Sequence, residues 1–411
     1  MIETECYTFQ RIQPSGEVLC SPLQLVCEML FARPTRLAGR PVTFNEKLYI
    51  APPDNPGIVT SACYIEKDYS KLWESRDRIR NYPILMGNMM LYHDGSEDEG
   101  DGENDFFVLL DPESGEVVKE LRDIPLCWRP AINSMQFFGI KERSAETDNE
   151  SYFYRNILCY KKDFSQLLWQ TEEQEDIKFD QLSANDSVLI ATDKRSIRAG
   201  FDVNTGECLW RVDPYTLGIF KNQDEFWDKG AGGDLLEHGV TKRLRFALGY
   251  PIIYGDTVVM SMHGNHMVGV DAKTGEARWI NYLEYSNNLY YQAYGDHLYT
   301  QGGNYIEIHH LGTGELIERI DIDVDSYKAQ TGGSVAIMNN FTVSDTHVFG
   351  SQCSGQLFFS VEKASGKVDW AYKSPREVRA DDRPYIHNGR IYYRSRGGMY
   401  IFEGPEGYLG T

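Results

Sequence analysis

The stretch MVGVDAKTGEARW, Met267 to Trp279, decides the fold because the chain keeps returning to it. FVLLDPESGEVVKEL runs from Phe107 to Leu121, RAGFDVNTGECLW from Arg198 to Trp210, and EIHHLGTGELIERI from Glu307 to Ile320. FFSVEKASGKVDW, Phe358 to Trp370, closes the set. Each line is a short apolar run, a polar residue that is most often Asp, a Thr/Ser-Gly-Glu/Lys step, and a second run ending at Trp or an aliphatic residue. Glycine accepts the positive φ of a tight hairpin turn, and the Thr or Ser before it can bond the turn backbone. The flanking alternation of apolar and polar residues has the period of a half-buried strand. Each line therefore reads as the last hairpin of a small antiparallel sheet. Degenerate copies, ACYIEKDYSKLW ending at Trp73 and ILCYKKDFSQLLW ending at Trp169, fill the gaps.

A second hairpin precedes each copy, as in YPIIYGDTVVMS from Tyr250, YQAYGDHLYT from Tyr291 and RPYIHNGRIYYRS from Arg383. Eight such hairpins are present. The residues that end the units (Trp73, Leu121, Trp169, Trp210, Trp279, Ile320, Trp370) are spaced by 48, 48, 41, 69, 41 and 50 residues. A four-stranded unit recurring at this period is the blade of a β-propeller, which buries its faces only against its neighbours. The expected fold is all-β, a propeller of about eight four-stranded antiparallel blades, with seven as the alternative. The final unit, from Arg383, has three convincing strands. Residues 1–40 are expected to complete that last blade, with YTFQRIQPSGEVLC (Tyr7 to Cys20) as a closing hairpin and LQLVCEMLF (Leu23 to Phe31) as a short helix or another strand. Residues 41–411 form the propeller, with a long inter-blade insertion at 214–249.

The line x-V-x-D-A-x-T-G-x-x-x-W resembles the repeat of the pyrroloquinoline-quinone (PQQ)-type β-propellers. Asp271-Ala272-Lys273-Thr274-Gly275 with Trp279, and Asp202-Val203-Asn204-Thr205-Gly206 with Trp210, carry the match. In that family the terminal tryptophan docks against the Asp-x-x-Thr-Gly turn of a neighbouring blade. The resemblance thus implies structural roles for Trp73, Trp169, Trp210, Trp279 and Trp370. Exported enzymes of the family bind the quinone with calcium and a catalytic aspartate, and many carry a vicinal disulfide. This sequence has no Cys-Cys pair, and no base and metal-ligand set falls at matching positions, so no catalytic residue and no quinone cofactor is expected.

The remaining signals concern binding. Lys plus Arg number 41 against 61 Asp plus Glu, a net charge of −20. A surface this acidic repels phosphate backbones, so nucleic acid is not an expected partner, whereas a basic protein is. The eight cysteines, at 6, 20, 27, 63, 127, 159, 208 and 353, form no C-x-x-C and read as reduced, partly buried residues. MIETECYTFQ has no cationic and apolar leader pattern, and Leu23 to Ala32 is too short to span a bilayer, so a cytoplasmic protein without membrane contact is expected. In DGSEDEGDGENDFF, Asp94 to Phe107, the carboxylates Glu97, Glu99, Asp101 and Asp105 with a turning Gly102 have the spacing of a calcium loop. Calcium is the one metal the sequence suggests. His309 and His310 are adjacent on a strand and should face opposite ways.

The insertion PYTLGIFKNQDEFWDKGAGGDLLEHGVTKRLRFALG (Pro214 to Gly249) combines Phe226 and Trp227 with Lys242, Arg243 and Arg245, a composition common in binding hot spots. These five are the expected partner-binding residues. The function expected is a non-catalytic protein-binding propeller, in its sharpest form a bacterial immunity protein that neutralises a basic toxin domain. A ligand- or metal-binding propeller enzyme (quinoprotein-like or sugar-binding) is one alternative. The other is an assembly scaffold resembling the PQQ-like propeller lipoproteins of outer-membrane assembly.

Overall fold

The computed structural model describes residues 7–10, 17–20, 22–31, 41–50, 62–75, 79–94, 106–122, 124, 130–147, 150–172, 179–193, 197–219, 251–262, 266–283, 291–332, 338–352, 356–374, 383–395 and 398–409. Three N-terminal strands, β1 (Tyr7–Gln10), β2 (Glu17–Cys20) and β3 (Gln24–Phe31), precede the repeats. Blade 1 holds β4 (Val42–Phe44), β5 (Lys47–Ile50), β6 (Ala62–Ile65) and β7 (Lys71–Glu74). Blade 2 holds β8 (Ile79–Met86), β9 (Met89–Asp94), β10 (Phe106–Leu110) and β11 (Val117–Leu121). Blade 3 holds β12 (Ala131–Ile132), β13 (Gln136–Thr147), β14 (Glu150–Lys161) and β15 (Leu167–Gln170). In blade 4 lie β16 (Phe179–Ala184), β17 (Val188–Asp193), β18 (Arg198–Asp202) and β19 (Cys208–Val212). In blade 5 lie β20 (Ile252–Tyr254), β21 (Thr257–Met262), β22 (His266–Asp271) and β23 (Ala277–Tyr282). Blade 6 contains β24 (Tyr291–Tyr294), β25 (His297–Gly302), β26 (Tyr305–His310) and β27 (Leu316–Asp321), followed by the helix α1 (Val324–Thr331). Blade 7 contains β28 (Met338–Val343), β29 (His347–Gln352), β30 (Leu357–Glu362) and β31 (Val368–Lys373), and blade 8 ends the chain with β32 (Tyr385–His387), β33 (Arg390–Ser395) and β34 (Gly398–Glu403).

Each blade is an antiparallel meander of four strands, and the fold is that of an eight-bladed β-propeller. Two compact units share these blades: one contains residues 1–124, 303–306 and 319–411, the other 125–302 and 307–318. The fourth position of blade 8, beside β34, is taken by β3, with Gln24 opposite Glu403 and Cys27 opposite Ile401. This corrects the closing hairpin read at Tyr7 to Cys20. Its two strands do not pair with each other: β1 lies on β3, and β2 lies on β31 of blade 7. Both act as fifth strands on outer edges.

The repeat explains itself in the turns. In blade 5, Asp271 Oδ1 accepts the backbone N–H groups of Lys273 and Thr274, each at 2.9 Å, and Gly275 turns the chain at φ +72°. A Cβ at Gly275 would stand 2.7 Å from the Trp210 ring, so glycine is required there twice over. The Trp210 indole donates to Ala272 O at 2.8 Å. Trp169 repeats the contact on Val203 O at 2.8 Å, Trp73 on Pro112 O at 2.9 Å and Trp279 on Leu311 O at 3.2 Å.

Trp370 departs from the expected docking. It is fully buried, its indole N–H has no hydrogen-bond partner among the described residues, and it packs on Tyr393 and Phe402. Blade 8 has no Asp-x-x-Thr-Gly turn to receive it, so apolar contact replaces the hydrogen bond.

The core sits between blades, and strand alternation divides it. Val258, Met260 and Met262 of β21 join Val188, Ile190 and Trp210 of blade 4, while Val259 between them joins Leu298 and Leu311 of blade 6. In blade 1, Leu48 and Ile50 pack with Met399 and Ile401 of blade 8, and Tyr49 with Met90 and Tyr92 of blade 2. β5 and β21 are thus apolar on both faces, each full burial contributing about 1.5–3 kcal/mol.

Candidate functional site

Among the described residues, a cleft of about 520 Å³ opens between blades 3 and 4. Four turns build it: β12–β13 (Asn133–Gln136), β14–β15 (Lys161–Asp163), β16–β17 (Asp186) and β18–β19 (Asn204). Their side chains hold one another. Asn133 Oδ1 accepts from Met135 N at 2.9 Å and Gln136 N at 2.7 Å, and its amide donates to Asn185 O at 3.1 Å. Gln136 donates to Val203 O at 2.9 Å, the same carbonyl that receives Trp169. Asp186 accepts from Ser134 N at 2.9 Å. The walls are therefore tied to the repeat turns, a rigid setting for recognition.

The charges of the cleft are arranged unequally. Hydrogen bonds from Ser134 hold the Asp186 carboxyl below the usual range, and the charge of Lys162 adds to this. Asp163 is lowered in the same way by Ser165, with help from Lys161. Both carboxylates already serve their own turns. Lys161 and Lys162 make no direct ion pair among the described residues, so the cations are the groups left to an incoming partner. Met135 stands over the rim at 71% exposure, the largest value for an apolar side chain in the described residues. Leu168 of β15 also lines the cleft.

A second polar cluster ties the C-terminal residues to blade 7. Asp369 accepts from His347 Nε2 at 2.8 Å, Ser360 Oγ at 2.7 Å and the Tyr408 hydroxyl at 2.9 Å. Burial alone would raise the Asp369 carboxyl, but the bonds from His347, Ser360 and Tyr408 outweigh it and hold it low. Tyr408 also packs on His347 with ring centres 4.1 Å apart and the planes tilted by 39°, and Leu409 is buried. Ser, His and Asp are the residue types of a hydrolytic triad, yet here Ser360 and His347 both bond the carboxylate. No His–Ser link activates a nucleophile, and Ser360 is fully buried. The cluster is a clasp. Elsewhere burial pushes the thiols of Cys63 and Cys159 up to about 12, so both stay protonated and inert. Cys27 is buried as well, but Cys208, one of the cysteines read as partly buried, is exposed on β19.

Glu97, Glu99, Asp101 and Asp105 lie outside the described residues, as do Phe226, Trp227, Lys242, Arg243 and Arg245. Among the described residues no group of three or more His, Cys, Asp or Glu is placed to hold a metal, and no helix is long and apolar enough to cross a membrane. His309 and His310 do face opposite ways: His309 is buried beside Gly314 O, and His310 bonds Thr313 in its own turn. The cleft itself escaped sequence reading because its walls come from four separate turns. The sole signal was Met135 standing at a turn where polar residues are usual.

Over residues 151–289 the chain matches the family model described as outer membrane protein assembly factor BamB. Among solved structures, BamB from Moraxella catarrhalis superposes with a TM-score of 0.59 at 12% identity, covering 94% of this chain and 99% of that one. The computationally designed Ika8 protein also superposes with a TM-score of 0.59, at 10% identity, covering 90% of this chain and 99% of its own. No curated protein sequence matches the chain. At such identities the likeness concerns the fold, and one of the two structures is a designed scaffold. The Asp-x-x-Thr-Gly turns, the docked tryptophans and the eight blades give this chain the fold of the PQQ-like β-propellers.

Proposed function

We propose that this chain is a non-catalytic protein-binding module, a rigid propeller that holds a recognition surface on blades 3 and 4. The observation that carries the reading is the cleft, where an exposed methionine and two lysines without direct ion pairs among the described residues stand on turns locked by their own hydrogen bonds. An adaptable thioether beside polar groups with fixed positions suits a protein surface.

The partner is a protein. The net charge of −20 favours a basic one, and in the sharpest form the chain is an immunity protein that captures a basic toxin domain in the cytoplasm. The match of residues 151–289 to a family described as an assembly factor favours a second reading, a scaffold for assembly of other proteins. Calcium at Glu97, Glu99, Asp101 and Asp105 is a separate proposal that isothermal titration with and without Asp101→Asn and Asp105→Asn tests directly.

Affinity capture of the chain's partner from its own cells, at low and at high salt, separates these readings. A stoichiometric basic partner lost at high salt, and toxic when expressed alone, supports the inhibitor. A partner held equally at both salts supports the scaffold. Recovery of no protein at either salt contradicts protein binding.

A further inference from the structure

Blade edges in this molecule take added strands, and the chain itself shows how. On blade 7, β2 pairs antiparallel with the outer strand β31, Glu17 lying opposite Lys373 and Val18 opposite Tyr372. On blade 8, β1 pairs with β3 in the same manner. The other six outer strands, β7, β11, β15, β19, β23 and β27, have no fifth strand among the described residues.

An open strand edge invites pairing, and proteins blunt it with charge. Five of the six follow that rule. β7 carries Lys71 and Glu74, β11 Lys119 and Glu120, β19 Arg211, β23 Arg278, and β27 Glu318, Arg319 and Asp321. β15 reads Leu-Leu-Trp-Gln and carries no charge at all. Leu167 and Leu168 sit at a β-bulge against Cys159 and Tyr160 of β14, and are 41% and 38% exposed. The equivalent of Leu167 on the covered edge, two residues before the tryptophan, is Val368, which is 2% exposed beside the helix α1, while β2 pairs further along at Ala371 to Lys373. The cleft with Lys161 and Lys162 opens at the N-terminal end of this same strand.

We infer that β15 is a docking edge for an extended segment of a partner protein, added as a fifth strand to blade 3. The segment is aliphatic at the positions facing Leu167 and Leu168 and carries an acidic residue that reaches Lys161 or Lys162. The chain's own β2, Glu-Val-Leu-Cys, is the template for that chemistry. Main-chain hydrogen bonds supply the affinity of such pairing and alternate side chains the specificity. This inference rests on the protein-binding reading and names the part of the surface that carries it.

The test selects displayed random twelve-residue peptides on the full chain, then measures their binding to two variants. Leu167→Lys/Leu168→Lys changes the proposed edge, and Val117→Lys/Val118→Lys changes β11 at the equivalent positions, which are exposed as well. The expected peptides combine an acidic residue with alternating aliphatics and lose at least tenfold in affinity on the β15 variant. They bind the β11 variant unchanged, and they slow amide exchange across Leu167 to Gln170. Lys161→Glu/Lys162→Glu, which leaves the strand intact, weakens them about fivefold. Peptides that bind the β15 variant equally, or that protect another strand, overturn the inference. So does a dimer of this chain that the β15 variant abolishes, because the occupant is then a second copy. A partner captured from cells equally by wild type and by the β15 variant overturns the edge while leaving protein binding standing. Failure to capture any partner, with no peptide selected, removes both.

Discussion

Blades 7 and 3 are built from the same repeat, yet their outer edges have opposite fates. In blade 7, β31 is covered by β2, α1 packs beside it, and Asp369 within it anchors the C-terminal clasp. In blade 3, β15 has neither cover among the described residues nor charge, and the turn before it opens into the cleft. Blade 3 differs in a further way: β13 and β14 run twelve residues each and stay paired through Thr147 opposite Glu150, about twice the usual strand length. The repeat therefore guarantees a blade but leaves its edge open to specialisation. One edge has been closed for stability and another left exposed.

Removing what the repeat shares should cost the most. Trp210→Ala takes a buried indole from between blades 4 and 5 and strands the Ala272 carbonyl, a loss of about 3–5 kcal/mol by urea unfolding. Trp210→Phe should also cost, since the hydrogen bond goes. Trp370→Phe should cost less than Trp210→Phe, because the Trp370 N–H has no partner to lose. An equal cost for both phenylalanine variants would break the distinction between the two docking modes.

Gly275→Ala should come next, at about 1–3 kcal/mol, because the residue sits at φ +72° and its Cβ would meet the Trp210 ring. Combined with Trp210→Ala it should cost less than the sum, since the obstructing ring is gone. Additive values would show that backbone strain alone sets the cost.

The clasp follows, with a signature in pH. Tyr408→Phe removes one of the three donors to Asp369 and should cost about 1–2 kcal/mol at neutral pH. Because the Asp369 carboxyl is held below its ordinary value in the folded protein, its stabilisation is present above about pH 4 and is lost as pH falls through the lowered value. The gap between wild type and Tyr408→Phe should therefore narrow in acid, which stability curves against pH would reveal. A gap that widens there would contradict the clasp. Smallest is Leu167→Lys/Leu168→Lys, expected within about 0.5 kcal/mol of wild type because both side chains are exposed. A large loss would mean that β15 is structural rather than a docking edge.

The blade repeat was legible because each unit restates the same local chemistry: an Asp that bonds its own turn, a glycine at positive φ and a tryptophan one blade back. What depended on distant pairing was not legible. Tyr7 to Cys20 has the sequence of a hairpin around Ser15-Gly16, yet its two strands join different blades, because an edge elsewhere offers the same backbone bonds. Trp370 has the sequence context of the other tryptophans and differs only through what blade 8 lacks. The long β13–β14 hairpin is polar through Lys141 to Thr147 and so shows no burial pattern to read. The cleft depends on which turns meet, and two of its walls lie some fifty residues from the others, as with Asn133 and Asn185.

The most direct test is amide hydrogen exchange on the full chain with and without its captured partner. The account predicts that protection appears at Leu167 to Gln170 and in the turns at Asn133 to Gln136 and Lys161 to Asp163. Protection confined to other segments, with β15 exchanging as freely as in the isolated chain, would contradict it.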